Sequence, residues 1–178
     1  MMTVVTGGSG SGKSAYAEER VLSLKGRGRI YLATMIPWDE ECRRKIERHR
    51  TMRAEKGFVT VEKYRDIHEA DIPGGSTVLL ECMSNLAANE LFGGTEIQRD
   101  RERERAEQTA EKIIMGVKEL LRQSENLVVV TNEVFSDGNR YDRETECYRR
   151  LLGRINETMA SMADEVVEVV YGIPVGLK

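Results

Sequence analysis

Short apolar runs rich in Val, Ile, Leu and Thr alternate along this chain with longer stretches whose apolar residues recur every three or four positions. The first pattern predicts buried strands and the second amphipathic helices. Strands are expected over residues 2–6, 29–33, 58–63, 77–81, 127–132 and 166–171, with a short last strand over 173–177. Helices are expected over 14–24, 39–55, 84–92, 99–123 and 143–163. The last two carry the strongest periodicity. Ala106, Ala110, Ile113, Val117 and Leu120 fall on one helical face, as do Tyr148, Leu151, Leu152, Ile155, Met159 and Met162. Gly26, Gly74-Gly75 and Asp137-Gly138 punctuate the elements. Strands alternating with helices imply an α/β fold, a mostly parallel sheet covered by helices on both faces. No internal repeat or linker interrupts the pattern, so residues 1–178 are expected to form a single domain.

In such sheets ligands bind beyond the carboxyl ends of the strands. That rule puts residues 7–14, Thr34, Glu81 and Asn132-Glu133 along one edge, with Glu81 beside Lys13. Residues 7–14 read Gly-Gly-Ser-Gly-Ser-Gly-Lys-Ser and fit the phosphate-loop pattern G-x-x-x-x-G-K-[ST]. A β-branched strand precedes them and a helix follows. Backbone N–H groups of Gly7, Gly8, Ser9, Gly10, Ser11 and Gly12 would surround a polyphosphate at the positive end of the helix dipole. Lys13 would bridge the β- and γ-phosphates, and the Ser14 hydroxyl would ligate Mg²⁺. A Gly/Ser linker is the bland alternative, but linkers rarely sit between a strand and a helix and end in Gly-Lys-Ser.

The run Thr77-Val-Leu-Leu-Glu81 is an apolar strand ending in a carboxylate. Such an acid orders Mg²⁺ or its water, or takes a proton from an acceptor hydroxyl. Its plain alternative is a strand-end acid. On the second helix, positions 42, 46, 49 and 53 share a face at about 100° per residue. His49 therefore points with the apolar stripe. Spacing alone favours a satisfied core histidine there. The imidazole can also attack a phosphorus centre to form a phosphoramidate, with Arg48, Arg50 and Arg53 stabilising charge on the phosphates. His68 reads as a surface residue. Asn132-Glu133 caps a strand end or contacts a nucleotide. The run 99–105 nearly balances its charges and reads as a solvated helix start.

Composition narrows the classes. Of 178 residues, 40% are hydrophobic and 32% charged, as in ordinary globular proteins. A net charge of −3 gives no general affinity for nucleic acid or anionic membrane. The apolar runs are strand-sized, so no membrane insertion is expected. The first strand starts at Met2, so no signal or transit peptide is expected either. Cys42, Cys82 and Cys147 have neither disulfide nor zinc spacing, as in a cytoplasmic protein with reduced thiols.

Together these residues resemble one family, the bifunctional adenosylcobinamide kinase / adenosylcobinamide-phosphate guanylyltransferases of cobalamin biosynthesis. The resemblance runs through Thr6-Gly-Gly with Ser11-Gly-Lys-Ser14, Tyr31-Leu-Ala-Thr34, and Arg44-Lys-Ile46 with His49 and Arg53. It continues through Leu79-Leu-Glu-Cys82 with Asn89, Val130-Thr-Asn-Glu-Val134, Gly153-Arg-Ile-Asn156, and the tail Ala163-Asp-Glu-Val166, Gly172-Ile-Pro174 and Lys178. It implies a RecA-like P-loop domain that assembles as a homotrimer. It further implies phosphorylation of adenosylcobinamide by ATP or GTP. GMP then passes from GTP through a guanylyl-histidine, at the position of His49, to adenosylcobinamide phosphate. Lys13, Ser14 and Glu81 take the lysine, serine and acid roles, and Thr34 and Arg53 join the nucleotide site. The chain departs from the family at Gly10, where arginine is common, at Ala54, where proline is common, and over residues 135–140. Two alternatives compete: a P-loop kinase with one activity, and a non-catalytic nucleotide switch.

Overall fold

The computed structural model describes residues 1–93, 102–135 and 141–178. Its elements, in chain order, are β1 (Met2–Thr6), α1 (Lys13–Ser23), β2 (Arg29–Ala33), α2 (Glu40–Glu55), β3 (Phe58–Glu62), β4 (Thr77–Glu81), α3 (Met83–Phe92), α4 (Glu102–Gln123), β5 (Asn126–Val130), α5 (Arg143–Met162), β6 (Glu165–Val170) and β7 (Ile173–Gly176). A single 3-10 turn, Ile67–Glu69, lies between β3 and β4.

The strands form one sheet in the order β3-β2-β4-β5-β1-β6-β7. Every neighbouring pair is parallel except β6 and β7. Those two form a hairpin in which Val170 faces Ile173. Tyr171 and Gly172 make its turn with φ of 50° and 78°. Positive φ at both positions matches the twist of the flanking strands.

Alternate strand residues feed two cores, as a period of two requires. Val78 and Leu80 of β4 face one way with Val4, Leu127 and Val129, and α3, α4 and α5 cover them. Leu79 faces the other way with Val5, Val128 and Val130, under Ala17 and Val21 of α1. A leucine buried as fully as Leu79 or Leu80 contributes about 1.5–3 kcal/mol over an exposed one. This is the α/β fold with helices on both faces that the hydrophobic pattern predicts.

Differences from the expected elements have local causes. The 3-10 turn was not expected, because three residues carry no period. It buries Ile67 against α4. Strand β5 starts at Asn126, whose amide side chain donates to Lys25 O and Thr77 Oγ1. It ends before Asn132, whose side chain turns to Ser84 Oγ at 2.6 Å. Residues 99–101 of the expected fourth helix, Asp137-Gly138 and the rest of 136–140 lie outside the described residues. Strand β5 lies between β4 and β1, so the strands that precede Lys13 and end at Glu81 are one strand apart.

Candidate active site

The loop after β1 is shaped by its glycines. Gly7 has φ 151°, and a Cβ there would stand 2.5 Å from Val169 O and 2.6 Å from Ser11 Oγ. Gly12 has φ 92°, and its Cβ would meet Gly172 Cα at 3.3 Å. The β6–β7 turn thus backs the loop, and Gly172 N donates to Ser11 O at 2.8 Å. Inside the loop, Lys13 is 8% exposed, and its ammonium donates to Gly8 O at 3.0 Å. The hydroxyl of Ser11 is buried without a partner among the described residues. Helix α1 begins at Lys13 with no acidic residue in its first turn and no side-chain cap. Its first N–H groups are left for an anion.

Beyond this loop opens a cavity of about 1250 Å³. Its wall includes Gly10 to Ser14 of the loop, Tyr31 of β2, Glu81 of β4, and His49 and Arg53 of α2. So the structure brings Lys13, Ser14, Glu81, His49 and Arg53 to one space. Gly7, Gly8 and Ser9 shape the loop without lining that cavity.

Glu81 is held from one side. Tyr31 donates its hydroxyl to Glu81 Oε2 at 3.1 Å, and Arg53 Nη2 lies 3.6 Å from the same oxygen. Burial and the Glu81 carboxylate push the Tyr31 phenol well up, so it stays a donor. Arg53 also donates Nε to Glu18 of α1 at 2.9 Å. Glu18 accepts from Lys56 as well. Burial alone would raise the Glu18 carboxyl, but hydrogen bonds from Lys56 and Arg53 hold it below its ordinary range.

His49 requires a correction. Ile46, His49 and Arg53 do share a face of α2, and that face turns to the cavity rather than to the core. Ile46 is half-buried and His49 is exposed. No described side chain of α2 is buried, and the side chain of Cys42 lies outside the described set. The helix period identifies the shared face correctly, but α2 stands off the sheet at the site, so its face meets open space.

Other expected residues fall elsewhere. Thr34 is fully buried and lies behind the cavity wall. It donates Oγ1 to Cys82 O at 2.8 Å, and its carbonyl accepts from Asn89 Nδ2 at 2.7 Å. Arg48 is exposed and does not line the cavity, and Arg50 lies 3.9 Å from Glu62. Arg43 and Arg44 reach the cavity in their place. Glu133 accepts from the N–H of Phe135 at 2.7 Å, so the Asn132-Glu133 pair orders the chain after β5. His68 is exposed on the 3-10 turn, as expected. Glu18 and Tyr31 were given no role from the sequence. Glu18 follows Ser14 by four residues, hence one turn up the same helix face, and that spacing is the signal that could have found it.

A glycine loop closed by lysine and serine, at the carboxyl edge of a parallel sheet and opening on a charged cavity, defines a P-loop nucleotide-binding protein. A family model described as cobinamide kinase / cobinamide phosphate guanyltransferase matches residues 3–177, and the chain belongs to that family. It is 36% identical to the bifunctional adenosylcobalamin biosynthesis protein CobU of Escherichia coli strain K12, with all of both chains covered. It is 34% identical, again over the whole of both chains, to the protein of the same name from Salmonella typhimurium strain LT2. Among solved structures, the flagellar accessory protein FlaH of Methanocaldococcus jannaschii superposes with a TM-score of 0.47 at 10% identity. That match covers 99% of this chain and 77% of the other, and it is too loose to bear on function. The chain is therefore a transferase of cobalamin biosynthesis with kinase and guanylyltransferase activities. This sets aside both the single-activity kinase and the non-catalytic switch. Among the described residues, no helix is long and apolar enough to cross a membrane.

Proposed function

We propose that one cavity serves both reactions of this chain, with Lys13 and the loop N–H groups gripping the triphosphate and His49 acting as the guanylyl acceptor. The observation that carries this reading is the common wall shared by residues 10–14, Glu81 and His49. In the kinase step, the hydroxyl of adenosylcobinamide attacks the γ-phosphorus of ATP or GTP. A P–O bond forms to the acceptor, the bond to the nucleoside diphosphate breaks, and Glu81 takes the hydroxyl proton. Among the described residues, Tyr31 and Arg53 both meet that carboxylate at Oε2, which leaves Oε1 for this work. Lys13 leaves the Gly8 carbonyl to meet the phosphates.

In the transfer step, an imidazole nitrogen of His49 attacks the α-phosphorus of GTP. A P–N bond forms and pyrophosphate leaves. The phosphate of adenosylcobinamide phosphate then attacks the same phosphorus, and the imidazole leaves. Two displacements let pyrophosphate and the acceptor use one pocket in turn.

The donor chemistry suits Mg²⁺. Ser14 offers a hydroxyl and Glu81 a carboxylate to the same cavity, and both are hard oxygen ligands. Among the described residues no cluster of three His, Cys, Asp or Glu side chains could hold a metal alone. That agrees with an ion shared between one or two side chains and substrate phosphates. When bound, Mg²⁺ would neutralise phosphate charge. The same proposal has residues 1–178 working as one catalytic domain, in a homotrimer, in the cytoplasm. The free thiols of Cys82 and Cys147 suit that compartment.

The test is labelling with α-³²P-GTP. The wild type should keep label that is lost in acid and stable in alkali, and His49→Asn should keep none. Label retained by the variant would remove His49 from this role.

A further inference from the structure

His49 rides on a helix whose described side chains lie outside the apolar core. None of the described side chains of α2 belongs to either buried cluster. A helix of this length is marginal in water by itself, so other contacts must fix its position. At its carboxyl end those contacts run through Arg53, which stacks on Tyr31, and through ion pairs. Arg53, one turn beyond His49, donates to Glu18 Oε1 at 2.9 Å. Lys56, just past the helix, donates to Glu18 Oε2. The side chains of Arg53 and Glu18 are each 12% exposed, so their pair is shielded from the solvent that weakens surface pairs. Glu18 in turn stands one turn beyond Ser14 on α1. One carboxylate therefore joins the helix leaving the phosphate loop to the helix carrying the imidazole.

We infer that Glu18 is a positioning residue for guanylyl transfer, setting the approach of His49 to the α-phosphorus by clamping Arg53 and Lys56. The inference rests on His49 being the nucleophile. Glu18 takes no proton and forms no bond in the reaction. Its effect is geometric: forming the P–N bond while the bond to pyrophosphate breaks needs the imidazole in line, and a misplacement of about 1 Å costs about 100-fold. Glu81, the other partner of Arg53, sits farther from it, at 3.6 Å, and does not contact Lys56. Phosphoryl transfer from the γ-phosphate makes no use of the imidazole. Glu18 should therefore separate the two activities.

The experiment measures single-turnover labelling from α-³²P-GTP and γ-phosphate transfer to adenosylcobinamide on the same preparations. Glu18→Gln should label about 100-fold more slowly, a much larger loss than in the kinase rate, which Glu18 reaches only through the 3.6 Å approach of Arg53 to Glu81. Glu18→Asp, which keeps the charge on a shorter arm, should recover part of the labelling rate. Lys56→Gln removes only the more exposed partner and should slow labelling about fivefold. It decides the question if Glu18→Gln does not fold. Labelling at the wild-type rate in these variants overturns the inference. So does an equal loss of both activities, which would mark a defect of folding or of the nucleotide site. His49→Asn is run beside them. If it still takes label, the nucleophile assignment fails, whatever Glu18 does.

Discussion

The guanidinium carbon of Arg53 stands 3.6 Å above the centroid of the Tyr31 ring. While stacked there, the same group donates to Glu18 and approaches the Glu81 oxygen that accepts the Tyr31 hydroxyl. Only a planar cation with several donors can stack and bridge two carboxylates at once. Arg53 thus ties α2, α1 and β4 together at the cavity wall.

Arg53→Lys should therefore not be conservative. Lysine keeps the charge but gives up the planar stack and the second bridge. A cation over an aromatic face is worth about 0.5–2 kcal/mol, and about 1.4 kcal/mol is tenfold in rate. Guanylylation of His49 should slow by roughly tenfold or more in this variant. Single-turnover labelling checks it, and a rate within twofold of the wild type would show that the bridge is dispensable.

Glu18 gives the pH dependence a sign. Its carboxyl is held below the ordinary 4.5 in the folded chain. A depressed carboxyl adds stability that is complete above its unfolded value and disappears as pH falls through its folded value. The pair with Arg53 and Lys56 should therefore stabilise fully at pH 6 to 7 and fade below about 4.5. Asp66 and Asp142 are also depressed, so total stability will fall with acid for several reasons. The difference between wild type and Glu18→Gln isolates this group. It should shrink toward zero in thermal melts as pH falls below the ordinary carboxyl value of 4.5 and through the depressed value of the folded chain. A difference that stays constant with pH would mean that the charge of Glu18 contributes nothing to folding.

These contacts also show which parts of the molecule were legible in the chain. Strands such as Thr77–Glu81 were legible because four apolar or β-branched residues in a row, Thr77 to Leu80, admit few other conformations. The phosphate loop was legible because Gly7 and Gly12 occupy positions that a Cβ would fill. His49 was legible as sharing a face with Ile46 and Arg53, but what that face meets is a tertiary fact. Periodicity assumes an apolar partner, and α2 has a cavity instead. Thr34 shows the opposite case. Its place at the end of β2 marks the ligand edge, yet the chain turns its hydroxyl inward to Cys82. Glu18 gave only the weak signal of its spacing from Ser14, because an acid on an amphipathic helix is ordinarily solvated, and only the folded chain brings Arg53 and Lys56 to it.

Gly116 makes a prediction in which two effects oppose. It sits within α4, where alanine would gain about 1 kcal/mol of helix propensity. Its Cβ, however, would stand 2.4 Å from Ile67 Cγ1 and 3.3 Å from His68 N. Forcing an extra carbon into a packed core costs about 1–3 kcal/mol, and Ile67 is 2% exposed, with little room to give. Gly116→Ala should lower stability by about 1 kcal/mol net. In an Ile67→Ala background the same change should raise stability. Denaturant unfolding of the four chains reads the sign directly, and a gain from Gly116→Ala in the wild-type background would show that the 3-10 turn moves aside.

Thr34 separates a nucleotide contact from a structural one. It is fully buried, and three of its polar groups are already engaged. Its N–H donates to Glu81 O at 3.1 Å, its hydroxyl to Cys82 O at 2.8 Å, and its carbonyl accepts from Asn89. Thr34→Val keeps the shape and both backbone bonds while stripping the donor from the Cys82 carbonyl. A buried polar group left without its partner costs about 1–3 kcal/mol, so stability should fall by that order. GTP affinity should hold, because the backbone bond that aligns β2 with the end of β4 survives. Unfolding curves and equilibrium nucleotide titration on the same variant decide the matter. A tenfold loss of affinity at unchanged stability would put the hydroxyl in the nucleotide site after all, and would require the carboxyl end of β2 to open when the ligand enters.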